Sequence, residues 1–302
     1  SFQHSLWLIG VAIGAVLVCG VLAQEWYAPS WLRTQEGRPR QTAWITLKPV
    51  KDLFAMLPNP YRPLMRKECL IFMRETSQWS QLLVLLGIVV VHLVNLFEIP
   101  TTDPFLKHVI YFFNIALIGF VITAVCVRFV FPSISFEGDQ FWIIRTAPVS
   151  MKQFFLEKTM FYLAPIGSLA LILIMATNAA LGINWPLFFW AALIVTVIAI
   201  TLTAGALAFG AMFPKFDFDH FGEVITSTGS VLYMLCGMFY VAGIVGLLLL
   251  PLYMDIHLSL DQLFFKWLPV AITFGSIVSI LLTWFLLWLA SRAIEGYEYS
   301  RI

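Results

Sequence analysis

Seven runs of this chain contain no Asp, Glu, Lys or Arg: residues 6–23, 82–97, 109–127, 161–181, 187–213, 231–252 and 267–290. A helix needs about 20 apolar residues to cross a hydrocarbon layer ~30 Å thick, and each run crosses or nearly crosses it. Inside lipid the backbone must satisfy its own hydrogen bonds. The runs show no strand-like alternation, so they are read as helices and not as barrel strands. The expected fold class is all-α, a polytopic membrane helical bundle of about seven transmembrane helices. Composition agrees: 60% of residues are hydrophobic and 12% charged, against roughly 25% charged in a soluble domain.

The connections give an orientation. Of 18 basic residues, only Lys107 and Lys266 fall on one side of the alternation, and the others gather on the opposite side. Cytoplasmic loops hold the Lys/Arg excess. The chain is therefore expected in the inner or plasma membrane, with its amino end outside and its carboxyl end cytoplasmic. A net charge of +1 gives no reason to expect a nucleic-acid partner. Cys19, Cys69, Cys126 and Cys236 form no Cys-x-x-Cys pair and are read as small apolar residues. Residues 6–23 lack the basic flank of a signal peptide. They are expected to be a membrane helix within 1–25, and the chain a piece of a longer protein. Residues 26–63 form a Pro-interrupted cytoplasmic linker.

Two cytoplasmic segments carry structure of their own. Over residues 64–79, Met65, Cys69, Phe72, Thr76 and Trp79 share one helical side, while Arg66, Lys67 and Arg74 share another. This pattern predicts an interfacial amphipathic helix, serving as a basic membrane anchor or as a dedicated connecting helix. After the third run, Ser135 is a candidate N-cap, with Glu137 and Asp139 in the first turn, Arg145 in the last turn and Pro148 as a stop. Ser150-Met-Lys-Gln153 fits a capping box for a second helix that feeds the fourth span. Phe136, Phe141, Trp142, Ile143 and Ile144 are too apolar for a solvated loop. The segment is a membrane-surface helix or a docking element for another subunit.

Catalytic signatures are absent. The chain has no Gly-x-x-x-x-Gly-Lys-Ser/Thr, no His-Glu-x-x-His and no Gly-x-Ser-x-Gly. Asp217, Asp219 and His220 fall in one short loop, which supplies no second ligand cluster for a metal. His92 and Asn95 share a face of the second run and either line a pathway or hydrogen-bond between helices. Gly10-x-x-x-Gly14 and Ala206-x-x-x-Gly210 are close-packing signals. No run holds a charged residue near its middle, as a proton relay would require, so the energy source is placed outside this chain.

Four stretches carry a family resemblance: Arg66-Lys-Glu68 through Arg74 and Gln78-Trp-Ser-Gln81; Phe131-Pro-Ser-Ile-Ser-Phe-Glu-Gly138 through Trp142, Arg145 and Pro148; Phe213-Pro-Lys-Phe-Asp217 with Ser230 and Tyr233; and residues 295–298. In these, residues 64–302 resemble the permease subunits of bacterial type-2 ABC transporters of the exporter kind. The resemblance implies a six-helix unit over 64–302, preceded by the connecting helix with Arg66, Lys67 and Arg74. It also implies a coupling helix at 135–145, and an outer loop at 251–269 that can dip into the membrane. A separate cytoplasmic ABC ATPase would use ATP, with no cofactor held in this chain. Phe141, Trp142 and Ile144 would anchor in that ATPase, and Glu137, Asp139, Arg145 and Lys152 would fix the register. A second six-helix unit, fused or as a homodimer, and membrane lipids would complete the assembly. The importer-type Glu-Ala-Ala loop motif is not evident. The rival readings are an intramembrane lipid-modifying enzyme and a non-transporting scaffold.

The charge division has a direct test. In a background lacking the four native cysteines, Arg33→Cys and Trp142→Cys should react with an impermeant maleimide from the same side of sealed vesicles. Labelling from opposite sides would overturn the assigned topology.

Overall fold

The computed structural model of the chain describes residues 20–21, 24–25, 61–74, 81–84, 87, 89–92, 94, 104–146, 148–217, 221–258 and 263–295. The chain divides into two compact units, Ser1–Val50 and Lys51–Ile302. In the first, the described residues Gly20, Val21, Gln24 and Glu25 are helical, and most of the expected first span, with its Gly10-x-x-x-Gly14 signal, lies outside the described residues. The second unit is an all-α helical bundle.

Its elements are α1 (Tyr61–Arg74), α2 (Pro104–Phe129), two 3₁₀ turns (Phe131–Ser133 and Ser135–Gln140), α3 (Phe141–Thr146), α4 (Met151–Leu181), α5 (Trp185–Met212), α6 (Phe221–Ile225), α7 (Thr228–Leu258) and α8 (Leu263–Glu295). Five helices are long and apolar enough to cross a membrane, and they match the third to seventh runs. The first part of the second run falls in the shorter apolar helix Gln81–His92. The expected dipping segment belongs to two long helices where it is described, with Pro251 inside α7 and Pro269 inside α8.

Local chemistry sets the boundaries. The Ser150 Oγ accepts from the Gln153 N–H at 3.3 Å, and Gln153 Oε1 accepts from the Ser150 N–H at 3.1 Å. This capping box starts α4 at Met151, ten residues before the charge-free run begins. At its other end Gly182 takes φ 60°, so its N–H reaches Ala179 O and that of Ile183 reaches Asn178 O. Both bonds satisfy last-turn carbonyls in a Schellman arrangement. Pro186 sits in the first turn of α5, where its missing N–H costs nothing.

Helix α5 is the centre, touching α2, α4, α7 and α8. Its second half is buried throughout from Thr201 to Ala208 and rich in Ala and Gly. Lipid tails are as apolar as the side chains, so association in a membrane depends on close packing and interhelical hydrogen bonds. Both occur here. The Tyr111 hydroxyl donates to Leu187 O at 2.8 Å and the Tyr233 hydroxyl to Leu202 O at 3.0 Å. Thr283 meets Thr201 at 3.0 Å, tying α8 to α5. The outer surface is apolar, with Phe239, Trp284 and Leu281 largely exposed. In water such a patch would aggregate, whereas in lipid it faces its own solvent.

A close approach to another segment's backbone occurs at Gly210, the second residue of the Ala206-x-x-x-Gly210 pair. A Cβ there would lie 2.5 Å from the Phe131 carbonyl oxygen, a backbone atom with no rotamer to yield. Gly243 has nothing within 4 Å of the same position. Gly210→Ala should therefore destabilise the bundle by about 1–3 kcal/mol, the usual cost of overpacking. Gly243→Ala should be neutral or slightly stabilising. Thermal unfolding in detergent distinguishes the two.

Candidate functional site

Several of the expected loop residues converge at one end of the bundle, where the start of α4 meets the last turns of α8. Lys152, Phe155 and Leu156 share a hollow of about 210 Å³ there with Trp284, Leu287 and Trp288. At the same end, chain segments distant in sequence are held together by ion pairs.

Lys158, on the second turn of α4, is fully buried. Its ammonium lies 2.7 Å from Glu68 Oε1, 2.8 Å from Glu137 Oε1 and 3.2 Å from the Ser133 carbonyl. An ammonium has three N–H donors, and here each has an acceptor. Glu68 is on α1 and Glu137 in the second 3₁₀ turn, both buried. Lys67, half-buried, donates to both oxygens of Glu137 at 2.5 and 2.7 Å and lies 3.2 Å from Glu68 Oε1. The Tyr162 hydroxyl donates to Glu68 Oε2 at 3.4 Å. The Phe154 ring lies beneath both cations, 5.2 Å from Lys158 Nζ and 5.8 Å from Lys67 Nζ. Such a ring face favours a desolvated cation.

Four charges thus join α1, the 131–140 turn and α4. Taking each out of water costs several kcal/mol, and only mutual pairing with satisfied hydrogen bonds offsets that. The same turn is also held from the other side. Ser135 Oγ accepts from the Lys215 N–H at 3.1 Å. The Phe141 ring stacks on Phe216 at 6.1 Å and meets Phe154 edge-on at 6.1 Å. Lys215 and Glu223 pair at 2.6 Å on the surface, where such a pair contributes about 0–1 kcal/mol.

Several expectations are corrected here. Ser135 does not cap a helix, since its hydroxyl serves Lys215. The segment 135–145 is not one helix: Gly138 takes φ 52°, which breaks the helical path between the 3₁₀ turn and α3. Glu137 and Phe141 are buried, and Ile144 is 8% exposed, so none of the three presents a free surface. Lys67 turns inward to Glu137 and does not lie on an outer basic face. Lys152 and Ile143 are both exposed, Ile143 to 50%. Helix α3 contains Trp142 and Arg145, and the 3₁₀ turn contains Asp139, but their side chains lie outside the described residues, as does that of Arg74 in its contacts. The Arg66 Nε is buried with no hydrogen-bond partner among the described residues.

Of the pathway candidates, His92 Nε2 lies 3.1 Å from Asn114 Oδ1, a contact between the Gln81–His92 helix and α2. Asn95 lies outside the described residues, as do Asp219 and His220. Among the described residues no group of three His, Cys, Asp or Glu could hold a metal ion.

Neither Glu68 nor the buried role of Lys158 was anticipated. Nor was Glu157, fully buried near Glu68 and Lys158, with neither carboxylate oxygen hydrogen-bonded among the described residues. The available signal was a pair of opposite charges, one on each of two otherwise apolar helix faces: Glu68 beside Met65, and Lys158 between Phe154 and Tyr162.

A family model described as "Putative ATP-binding cassette" matches residues 1–299. No curated protein and no solved structure matches the chain.

Removing one member of a buried cluster leaves the others uncompensated. Lys158→Met should cost about 3–5 kcal/mol, and Lys67→Met, at a half-buried cation, distinctly less. The double variant Glu68→Gln, Lys158→Met should recover part of the loss, as read by thermal unfolding in detergent. Equal effects of Lys158→Met and Lys67→Met would contradict the assigned geometry.

Proposed function

The chain belongs to the ATP-binding cassette family, and we propose from this that it is the membrane permease of an ATP-driven exporter. Hydrolysis falls to a separate ATPase, because the chain carries no phosphate-binding Gly-x-x-x-x-Gly-Lys-Ser/Thr of its own. It is a transport subunit and not itself an enzyme. Its basic end faces the cytoplasm of the inner or plasma membrane. A second six-helix unit, fused or as a homodimer, completes the path.

The observation that carries this reading is the way the 131–146 segment is mounted. Its inner half, with Phe131, Ile134, Glu137 and Phe141, is buried and charge-paired to α1 and α4. Beyond the break at Gly138 the segment keeps Phe141 and Ile144 buried and leaves Ile143 and Thr146 exposed. An element exposed on one side and rigidly tied to a spanning helix on the other can pass a push from outside the membrane to that helix. Interfaces couple in this way when their packed elements switch between discrete arrangements rather than deform.

The roles of the expected contact residues divide accordingly. Trp142, Ile143, Arg145, Asp139 and Lys152 are assigned to the ATPase surface. Glu137, Phe141 and Ile144 are assigned to the mount behind it. Buried aromatic and Arg anchors dominate the energy of most interfaces.

The two groups should separate in one experiment. Trp142→Ala combined with Ile143→Asp should abolish co-purification of the ATPase in mild detergent. Glu137→Gln should retain the ATPase and lose substrate-stimulated hydrolysis. His92→Ala should change neither. Full retention of the ATPase by the Trp142, Ile143 double variant would refute the docking assignment.

A further inference from the structure

Between α1, α2 and α4 lies a groove of about 430 Å³, which touches the charge cluster at Tyr162, a lining residue whose hydroxyl donates to Glu68. Its walls include Met65 and Phe72 of α1, Phe129 of α2, and Met160, Ala164 and Leu169 of α4. Among the described residues no charged side chain lines it. Burial raises the pKa of the lining Cys69 thiol, which therefore stays neutral and acts as part of the apolar wall. The opening runs into exposed apolar surface at Met160 and Met73, and Leu83 and Val84 are exposed beside the lining residue Leu82. This is surface of the kind that faces acyl chains along the rest of the bundle.

One edge of the α1 wall is basic, and Glu68 on the opposite edge is already paired with Lys158. By helical periodicity, Arg62 and Arg66 flank the Met65, Cys69, Phe72 face of α1 on the side away from Glu68. Arg62 is exposed, and the Nε of Arg66 is buried without a hydrogen-bond partner among the described residues. A guanidinium with donors to spare beside an apolar slot matches a ligand with an anionic oxygen head and a hydrocarbon tail, since Arg presents a fork suited to phosphate. Basic clusters at a helix–membrane boundary attract acidic lipid head groups.

We propose that this groove holds one anionic phospholipid, its acyl chain along Met65, Phe72, Phe129 and Leu169 and its phosphate at Arg62 and Arg66. The lipid fills the space between the connecting helix and the spans on the side that the ion pairs leave open. The inference does not depend on the transport reading.

The test uses the full chain, purified in mild detergent from vesicles of equal phosphatidylglycerol and phosphatidylcholine, with native mass spectrometry counting retained lipid. The wild type should retain one phosphatidylglycerol, several-fold in excess over phosphatidylcholine. Ala164→Phe, which fills the groove from α4, should lose it. The double variant Arg62→Ala, Arg66→Ala should keep a lipid but lose the preference. A photoreactive benzoylphenylalanine at Leu169 should crosslink to phosphatidylglycerol in detergent, and one at the outer-surface position Leu281 should not; this arm stands even if Ala164→Phe fails to fold. A wild type free of lipid would mean that the chain's own residues cover the groove. Equal retention by Ala164→Phe, or equal crosslinking at both positions, would mean non-specific lipid only. Each of these outcomes overturns the proposal.

Discussion

The ammonium of Lys158 sits in a place where water cannot reach it, and three chain segments are arranged to make that tolerable. Glu68 comes from α1, Glu137 from the second 3₁₀ turn after α2, and the Ser133 carbonyl from the first. Withdrawing any one acceptor leaves an ion in a medium that solvates it poorly. The arrangement is thus far more specific than apolar packing. A hydrophobic side chain can slide along its neighbours at small cost, but a buried ion has very few positions in which it is satisfied. Here that specificity fixes α1 against α4, a relation apolar contact in lipid would define only weakly.

A second constraint governs the rest of the bundle. Helix α5 touches four other long helices, and its buried half is rich in Ala, Gly and Thr. Small residues bring backbones together, and the threonines remain compatible with this because they bond their own preceding turn. Thr203 Oγ1 donates to Ala199 O, and Thr201 Oγ1 to Val197 O while also meeting α8. Gly210 follows the same principle, allowing the α5 backbone against the Phe131 carbonyl. Phe131 begins the segment that carries Ser133 and Glu137. The close-packed centre and the charge cluster therefore meet in one segment, and a shift in either is felt by the other.

The five long spans were legible because lipid enforces one rule on sequence: residues that span it carry no unpaired charge. The capping box of Ser150 and Gln153 was legible for a different reason, since both partners lie within one turn. The charge cluster was not legible. Lys67 pairs with Glu137 across 70 positions and Lys158 with Glu68 across 90, and nothing local in the chain records such a pairing. Treated one by one, Lys67 and Lys158 look like solvated charges that mark the cytoplasmic side. The break at Gly138 was hidden as well. Glycine is compatible with both a continued helix and a left-handed turn, and the choice was made by Ser135 and Glu137 finding tertiary partners.

Charges, rather than more leucines, occupy this end of the bundle for a physical reason. The turn after α2 and the connecting helix lie where the charge-free runs begin and end, so water is near and the cost of burying ions is lower than at mid-membrane. In that zone two lysines and two glutamates lie within reach of one another, and Lys67 contacts both carboxylates. An element with a few discrete, well-satisfied arrangements is what a coupling device requires, because a displacement at one edge is then converted into a switch rather than dissipated in soft packing. The 131–146 segment enters this cluster through Glu137, which pairs with both lysines, while Ile143 and Thr146 at its other end are exposed.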